Sequence, residues 1–284
     1  MAYKQYEPEE LRRLQLVSTK ILGEFDRVCT QLEIPYFAYA GTSLGAVRHG
    51  GFIPWDDDID VALLRPDYER FLAEAPAVMG ADFEIVSGRT EPFFPACNAN
   101  LALRGTLCVP EEFSDCPFQY PIGIGVFALD RVSDDPRKRS RQMRGTRLWA
   151  RLLFLRATPR PMHFVKGWKR ALVSAACHIA HGGMKLLHIS PAWMHRRWER
   201  AALLAADEQG DLWTDLSDQR PLNWSVTSDD VFPLGRIAFE DITVNVPHAN
   251  DSILRRGYGD YMQLPPVEDR KNHYPSKLDL GKYA

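Results

Sequence analysis

Cysteines at CxxC spacing are missing from this chain. Its five cysteines, Cys29, Cys97, Cys108, Cys116 and Cys177, are odd in number and irregularly placed. That argues against a zinc knuckle and a disulfide framework; reduced, buried thiols in the cytosol are the expectation. No run of 18 apolar residues occurs, so no membrane span is expected. The opening MAYKQYEPEELRR is polar and has no h-region, so no signal peptide is expected either. His163, His178, His181, His188 and His195 lack an HExxH or similar spacing, which argues against a histidine metal centre among them. There is no internal repeat and no low-complexity linker. Acid is nearly missing between Arg137 and Arg200, where Glu199 stands alone against sixteen Lys and Arg. The whole chain has 35 bases and 37 acids, so the remainder holds 19 bases and 36 acids. A block near +15 therefore sits in a chain otherwise near −17, a split that packing, a partner or a surface must absorb.

What is present suits a chain of 284 residues with an ordinary apolar and charged content, long enough for a sizeable core. Leu11, Leu14, Val17, Ile21, Leu22, Phe25, Val28 and Leu32 recur at three and four residues. They predict an amphipathic helix that stops before Ile34-Pro35. Tyr36 to Ala40 reads as a short buried strand, Thr42 to Arg48 as one or two helical turns, and His49-Gly50-Gly51 as a loop. Ile59 to Leu64 reads as a second strand, and Arg65-Pro66-Asp67 opens another helix. Phe83–Val86, Asn100–Cys108 and Ile122–Leu129 read as further strands. From about Asp134 to Asp207 the pattern is helical, with breaks at Thr158-Pro159-Arg160-Pro161, Gly182-Gly183 and Ser190-Pro191. Strand-like runs return at Ile237–Phe239 and Ile242–Val246, before the aromatic, proline-bearing YGDYMQLPPVEDRKNHYP. The order implies an α+β core, residues 1–135, a basic helical insertion, 136–215, and a segment returning to the core, 216–284.

The chemistry concentrates in GTSLGAVRHGGFIPWDDDIDVALL, residues 41–64. On a strand, residues two apart share a face, so Asp58 and Asp60 stand together while Ile59 and Val61 enter the core. Two carboxylates that close repel unless a cation lies between them. Mg²⁺ or Mn²⁺ suits an oxygen-only pair and takes its remaining ligands from a substrate's phosphates. Upstream, Gly41, Thr42 and Ser43 close a strand and open a helix, a place where N–H groups and hydroxyls hold phosphate. Cradle and acid pair together predict phosphoryl or nucleotidyl transfer. The plainer alternative, a solvated acidic turn, does not account for the apolar segments on both sides.

These residues resemble the LicD family, phosphocholine transferases that decorate bacterial surface glycans, whose signature fukutin and fukutin-related protein share. The resemblance runs from the first helix through IPYFAYAGTSLGAVRHGGFIPWDDDIDVALLRPDYERF. It resumes at GVFALDRVSDDP, at FEDITVNVP and at YGDYMQLPPVEDRKNHYP, covering roughly residues 10–135 and 230–276. It implies a nucleotidyltransferase-like mixed-sheet palm with Asp58 and Asp60 as metal ligands and Asp56 in the same motif. It also implies transfer of a phospho-alcohol from a CDP-activated donor, CDP-choline or CDP-ribitol, to a sugar hydroxyl, with release of CMP. One position departs from the family: where its middle motif reads like I-D-I-F-P-L-D, this chain has Gly125, and Asp130 is the acid that remains. Asp130 is expected to act as the third acid, although its odd offset from 125 requires a bulge or bend.

Arg48 and His49 have two open readings, binding the donor diphosphate or pairing with Asp56 and Asp57. Arg270 and His273 match polar positions of the family's last motif and are assigned to the substrate and leaving group. Tyr258 and Tyr261 stack on a cytosine ring or pack in the core. Three functions compete: a metal-dependent phosphocholine-type transferase, a nucleotidyltransferase attacking the proximal phosphorus, and a degenerate palm that docks glycan or membrane. Nucleic acid is not an expected partner, because the basic block has no recognisable module. The expected location is the cytoplasm, peripheral at the inner membrane face. There Arg144, Arg147, Arg151, Lys166, Lys169 and Arg170, close to Leu148, Trp149, Leu152, Phe154, Leu155, Phe164, Trp168 and Leu172, would meet a lipid-linked glycan acceptor. The plainer alternative is that the block's charge balances the acidic core.

Overall fold

The computed structural model of the chain describes residues 4–159 and 168–283. Arg160-Pro161, His163, Phe164 and Lys166, and the side chains of Trp168, Lys169 and Arg170, lie outside the described residues. Helix α1 (Pro8–Gln31) starts with proline in its first turn, where the missing N–H costs nothing. Leu14, Ile21, Leu22, Phe25 and Val28 fall on its buried face. Strand β1 (Phe37–Ala38) is shorter than expected because helix α2 (Ala40–His49) begins two residues early. Gly50, at φ +68°, closes α2 in a conformation that suits glycine. Strand β2 (Asp60–Leu64) and helix α3 (Arg65–Glu74) follow as predicted.

Strands β3 (Phe83–Ser87), β4 (Ala99–Leu103), β5 (Leu107–Pro110) and β6 (Gly123–Arg131) come next. The single strand expected over 100–108 is two strands, parted by a turn at Gly105, where φ is +74°. The main sheet runs β1-β2-β6-β4-β3. Strands β2 and β6 are parallel, with Asp60 opposite Gly125 and Leu64 opposite Leu129; the other pairs on this path are antiparallel. This mixed sheet with flanking helices is the α+β class expected.

One sheet face, with Val61, Leu63, Ile124, Val126, Leu101 and Leu103, packs on α1. The other face, with Ala62, Leu64 and Leu129, meets Phe37, Trp213, Val226, Val231 and Ile253. Helices α4 (Pro136–Ala157), α5 (Trp168–Leu186) and α6 (Pro191–Ala202) make up the basic block, with α4 packed on α6 and α5. The chain rejoins the sheet at β7 (Trp213–Thr214), which pairs with Asp130 and Arg131 of β6. Helix α7 (Ser228–Val231), the hairpin β8 (Gly235–Phe239) and β9 (Ile242–Val246), and helix α8 (Asn250–Tyr258) follow. Strand β10 (Pro275–Asp279), in a segment read only as a tail, pairs with β5. Cys29 and Cys116 are buried, and all five thiols are unpaired.

Candidate active site

Asp56, Asp58 and Asp60 lead into β2 at alternate positions and converge, while Asp57 and Ile59 point the other way. Ile59 is buried in the core beneath α1. The Asp57 carboxylate is buried as well; it accepts from the Tyr6 hydroxyl at 3.0 Å and from the His273 N–H at 2.9 Å. Period-two alternation thus begins at Asp56, four residues before regular strand pairing. Asp58 keeps 52% of its side chain open at the mouth of the cleft.

The three converging carboxyls resist ionisation together. Burial first, and then Asp58, push Asp56 up to about 8. Burial followed by the charges of Asp58, Asp56 and Asp215 raises Asp60 well above the usual range. Burial also raises Asp58, against the pull of His273. A divalent cation would remove the repulsion, and an all-oxygen donor set fits Mg²⁺ or Mn²⁺. Among the described residues, no group of three or more His, Cys, Asp or Glu side chains is arranged to hold a metal ion by itself. The fit is therefore of the open kind, in which one or two carboxylates and a substrate's phosphate oxygens share the ion.

Two of the expected cradle groups are framework instead. Thr42 Oγ1 accepts from the Asp60 N–H at 2.8 Å, and Ser43 Oγ donates to Asn250 at 2.7 Å. Both residues are buried, and their N–H groups donate to Tyr39 within the first turn of α2. They fix α2 against β2 and α8, and the Ser43 hydroxyl spends its donor on Asn250. Gly41 does border the acids: a Cβ there would stand 3.0 Å from Asp56 Oδ2.

His273 arrives from the segment before β10. Its Nδ1 lies 3.2 Å from Asp57 and 3.6 Å from Asp58. The hydrogen bond to Asp57, with the surrounding acids, lifts it to about 9, so the ring is an imidazolium at neutral pH. Arg48 donates to the Tyr261 carbonyl, and burial and the nearby Arg270 charge push its pKa down. Arg270 lies over the Trp55 ring at 4.8 Å. Two guanidinium groups so close invite an anion between them. Arg48 lines a groove of about 450 Å³ with Trp55, Tyr258, Tyr261 and Leu264. His49 is exposed beside Arg48, which lowers its pKa after burial has done so.

Asp130 is not brought to this cluster. It lies one residue beyond the Leu64–Leu129 pair, at the far end of β2 from Asp60, about 17 Å along the strand at the usual rise. Arg65 takes both its oxygens, at 2.7 and 2.9 Å. The expected bend does not occur, and the acid serves a buried ion pair. Asp215 is the carboxyl that composition and spacing did not reveal. It is buried just after β7, pushed up to about 6 by desolvation, and its charge is felt at Asp60. The run WTDLSD carries no motif; only β7 pairing, between residues more than 80 apart, places it there.

A model of the family described as LicD/FKTN/FKRP, nucleotidyltransferase domain, matches residues 33–87, the stretch that holds β1, α2, the acid cluster and α3. The chain is 26% identical over 281 residues to the lipopolysaccharide cholinephosphotransferase LicD of Haemophilus influenzae, covering 93% of this chain and 96% of that protein. An uncharacterized protein of Rickettsia typhi is 37% identical over 68 residues, 24% of this chain and 21% of its own. The alignment with the Haemophilus protein takes in far more of the chain than the stretch that the family model matches, and on both findings the chain resembles the LicD family.

Proposed function

We propose that the protein is a metal-dependent transferase that moves a phospho-alcohol, of the phosphocholine type, from a CDP-activated donor to a sugar hydroxyl of a bacterial surface glycan. The observation that carries this is the convergence of Asp56, Asp58 and Asp60 beside an imidazolium, with Arg48 on the groove whose Tyr258 feels the charge of those acids. The arrangement is suited to a diphosphate, and the Haemophilus relative bears the name of a cholinephosphotransferase. Asp58 and Asp60 would hold Mg²⁺ or Mn²⁺, with Asp56 beside them, on a nucleotidyltransferase-like palm. The ion, when bound, neutralises the diphosphate and stabilises the leaving oxygen.

The acceptor hydroxyl attacks the distal phosphorus in line and gives its proton to one of the converging carboxylates; the new O–P bond forms as the bridging O–P bond breaks and CMP leaves. Arg48 and Arg270 grip the diphosphate, and His273 presents its protonated ring to the leaving phosphate. Helix α5 supports a membrane-bound acceptor. Leu172, Ile179 and Leu186, seven residues apart, are all exposed on it, and Leu187 just past its end is exposed as well. The protein would work from the cytoplasmic side, on a lipid-linked glycan.

Incubation with CDP-choline, CDP-ribitol and CDP-glycerol in Mg²⁺ tests the reading. CMP release from at least one donor is expected. Pyrophosphate with a nucleotidylated acceptor would instead establish attack on the proximal phosphorus, and no turnover of any donor would point to a binding module.

A further inference from the structure

Helix α5 carries a seam that the described residues leave uncovered. Leu172, Ala176, Ile179, Gly183 and Leu186 recur at four and three residues, so they share one side of the helix. The three large residues are 61%, 75% and 79% exposed. Ala176 is exposed too, and a Cβ on Gly183 would meet nothing within 4 Å. The opposite side is the one that holds α5 in place. There His181 is buried, with its Nδ1 2.9 Å from the Leu155 carbonyl of α4, and Arg156 of α4 donates to the Ile189 carbonyl just past the helix.

Three features select what fits there. Large and small residues alternate along the seam, as Leu, Ala, Ile, Gly, Leu. The small ones are hollows into which the large residues of a neighbouring helix can sink, bringing the two axes close. The first four positions also match themselves when the helix is turned end for end: Leu172 then falls on the partner's Gly183, and Ile179 on the partner's Ala176. A surface whose bumps meet its own hollows after a two-fold rotation is the isologous kind, in which every contact is made twice. Finally, Ala171 to Met184 contains no Asp, Glu, Lys or Arg, inside a block that holds sixteen bases. Two copies can bring these stretches together without setting like charges against each other, and the antiparallel direction puts the positive end of each helix dipole beside the negative end of the other.

We infer that α5 is a self-association surface, on which a second copy of this chain packs antiparallel with the two-fold axis between positions 177 and 178. From Leu172 to Gly183 the seam is roughly 17 Å long at the usual helical rise, and it buries on the order of hundreds of Å² per copy. That is at the small end of specific interfaces, so the pair is reversible. A bilayer and a second copy would cover the same leucines, so pairing and membrane attachment exclude each other. The inference does not depend on the transferase reading.

Disulfide trapping of the full chain tests it. In this register Ile179 and the partner's Ile179 face each other about 4.5 Å apart along the axes, within reach of a disulfide if both were cysteine. Leu172 and the partner's Leu172 are roughly 17 Å apart, out of reach. Under mild oxidation Ile179→Cys should therefore give at least about tenfold more linked dimer than Leu172→Cys. The native Cys177 lies off the seam by its helical spacing, so the wild-type chain sets the background. Ala176→Gln added to Ile179→Cys fills the hollow and should abolish the link; its exposed position spares the fold. In sedimentation equilibrium the unmodified chain should rise from 32.4 kDa toward twice that mass with concentration. The pairing would be overturned by a constant 32.4 kDa at the highest soluble concentration, by no link at 179, or by a link that survives Ala176→Gln. Equal linking at 172 and 179, the mark of a parallel pair or of chance collision, would overturn it as well.

Discussion

Asp58 and Asp60 crowd their carboxyls together, and their work depends on that crowding. Asparagine at either place keeps the shape and removes the charge. Asp58→Asn and Asp60→Asn should each lower CMP release by about a hundredfold or more, with the urea midpoint unchanged or raised, because a strained charge has been removed. Near-normal turnover by both would sink the metal assignment. Asp130 predicts the opposite pattern. Arg65 and Asp130 are 7% and 1% exposed, so Asp130→Asn strands a guanidinium in the interior. The expected loss of stability is about 3–5 kcal/mol, measured by denaturation. Turnover per folded molecule should be kept. A folded, stable Asp130→Asn protein without activity would restore Asp130 to the chemistry.

At the scale of elements, helix α5 is the one whose surface does not fit a solvated helix. Liposome sedimentation checks the membrane reading: binding should require anionic lipid, weaken in high salt, and fall when Leu172, Ile179 and Leu186 are changed together to Ser. No binding to any liposome would leave charge balance or polymer docking to explain the basic block. Within that block Lys138 pairs with Glu208, while Arg139, Arg144, Arg147 and Arg156 donate to backbone carbonyls. Elements with strong periodicity were legible in the sequence. The α1 stripe and β2 with its alternating acids lie where their patterns put them, because burial on one face writes itself into local order. Strands β7 and β10, of two and five residues, were not, since their pairing is decided by partners far along the chain. The site divides the same way. Asp56, Asp58 and Asp60 are local, and His273 came with a motif, whereas Asp215 depends on contacts that only the folded sheet makes.

Across the whole molecule, buried acid sets the response to pH. Asp215 moves from 3.8 to about 6 on folding. A carboxyl raised in this way stabilises the fold only while protonated. Its contribution is full below pH 4 and is lost as pH rises through 6. Two units correspond to about 3 kcal/mol. Asp215→Asn should therefore raise the urea midpoint at pH 7.5 and change it little at pH 4; Ser217 donates twice to one oxygen, Oδ1, which asparagine retains. An equal shift at both pH values would refute the linkage. One carboxylate, Asp57, binds both Tyr6 and His273, and β5 waits for β10. The acid cluster and the β5–β10 pair are thereby one assembly: the segment that brings the imidazolium to the acids is the segment that closes the small second sheet, so loosening β10 from β5 would also strip the acids of their cation.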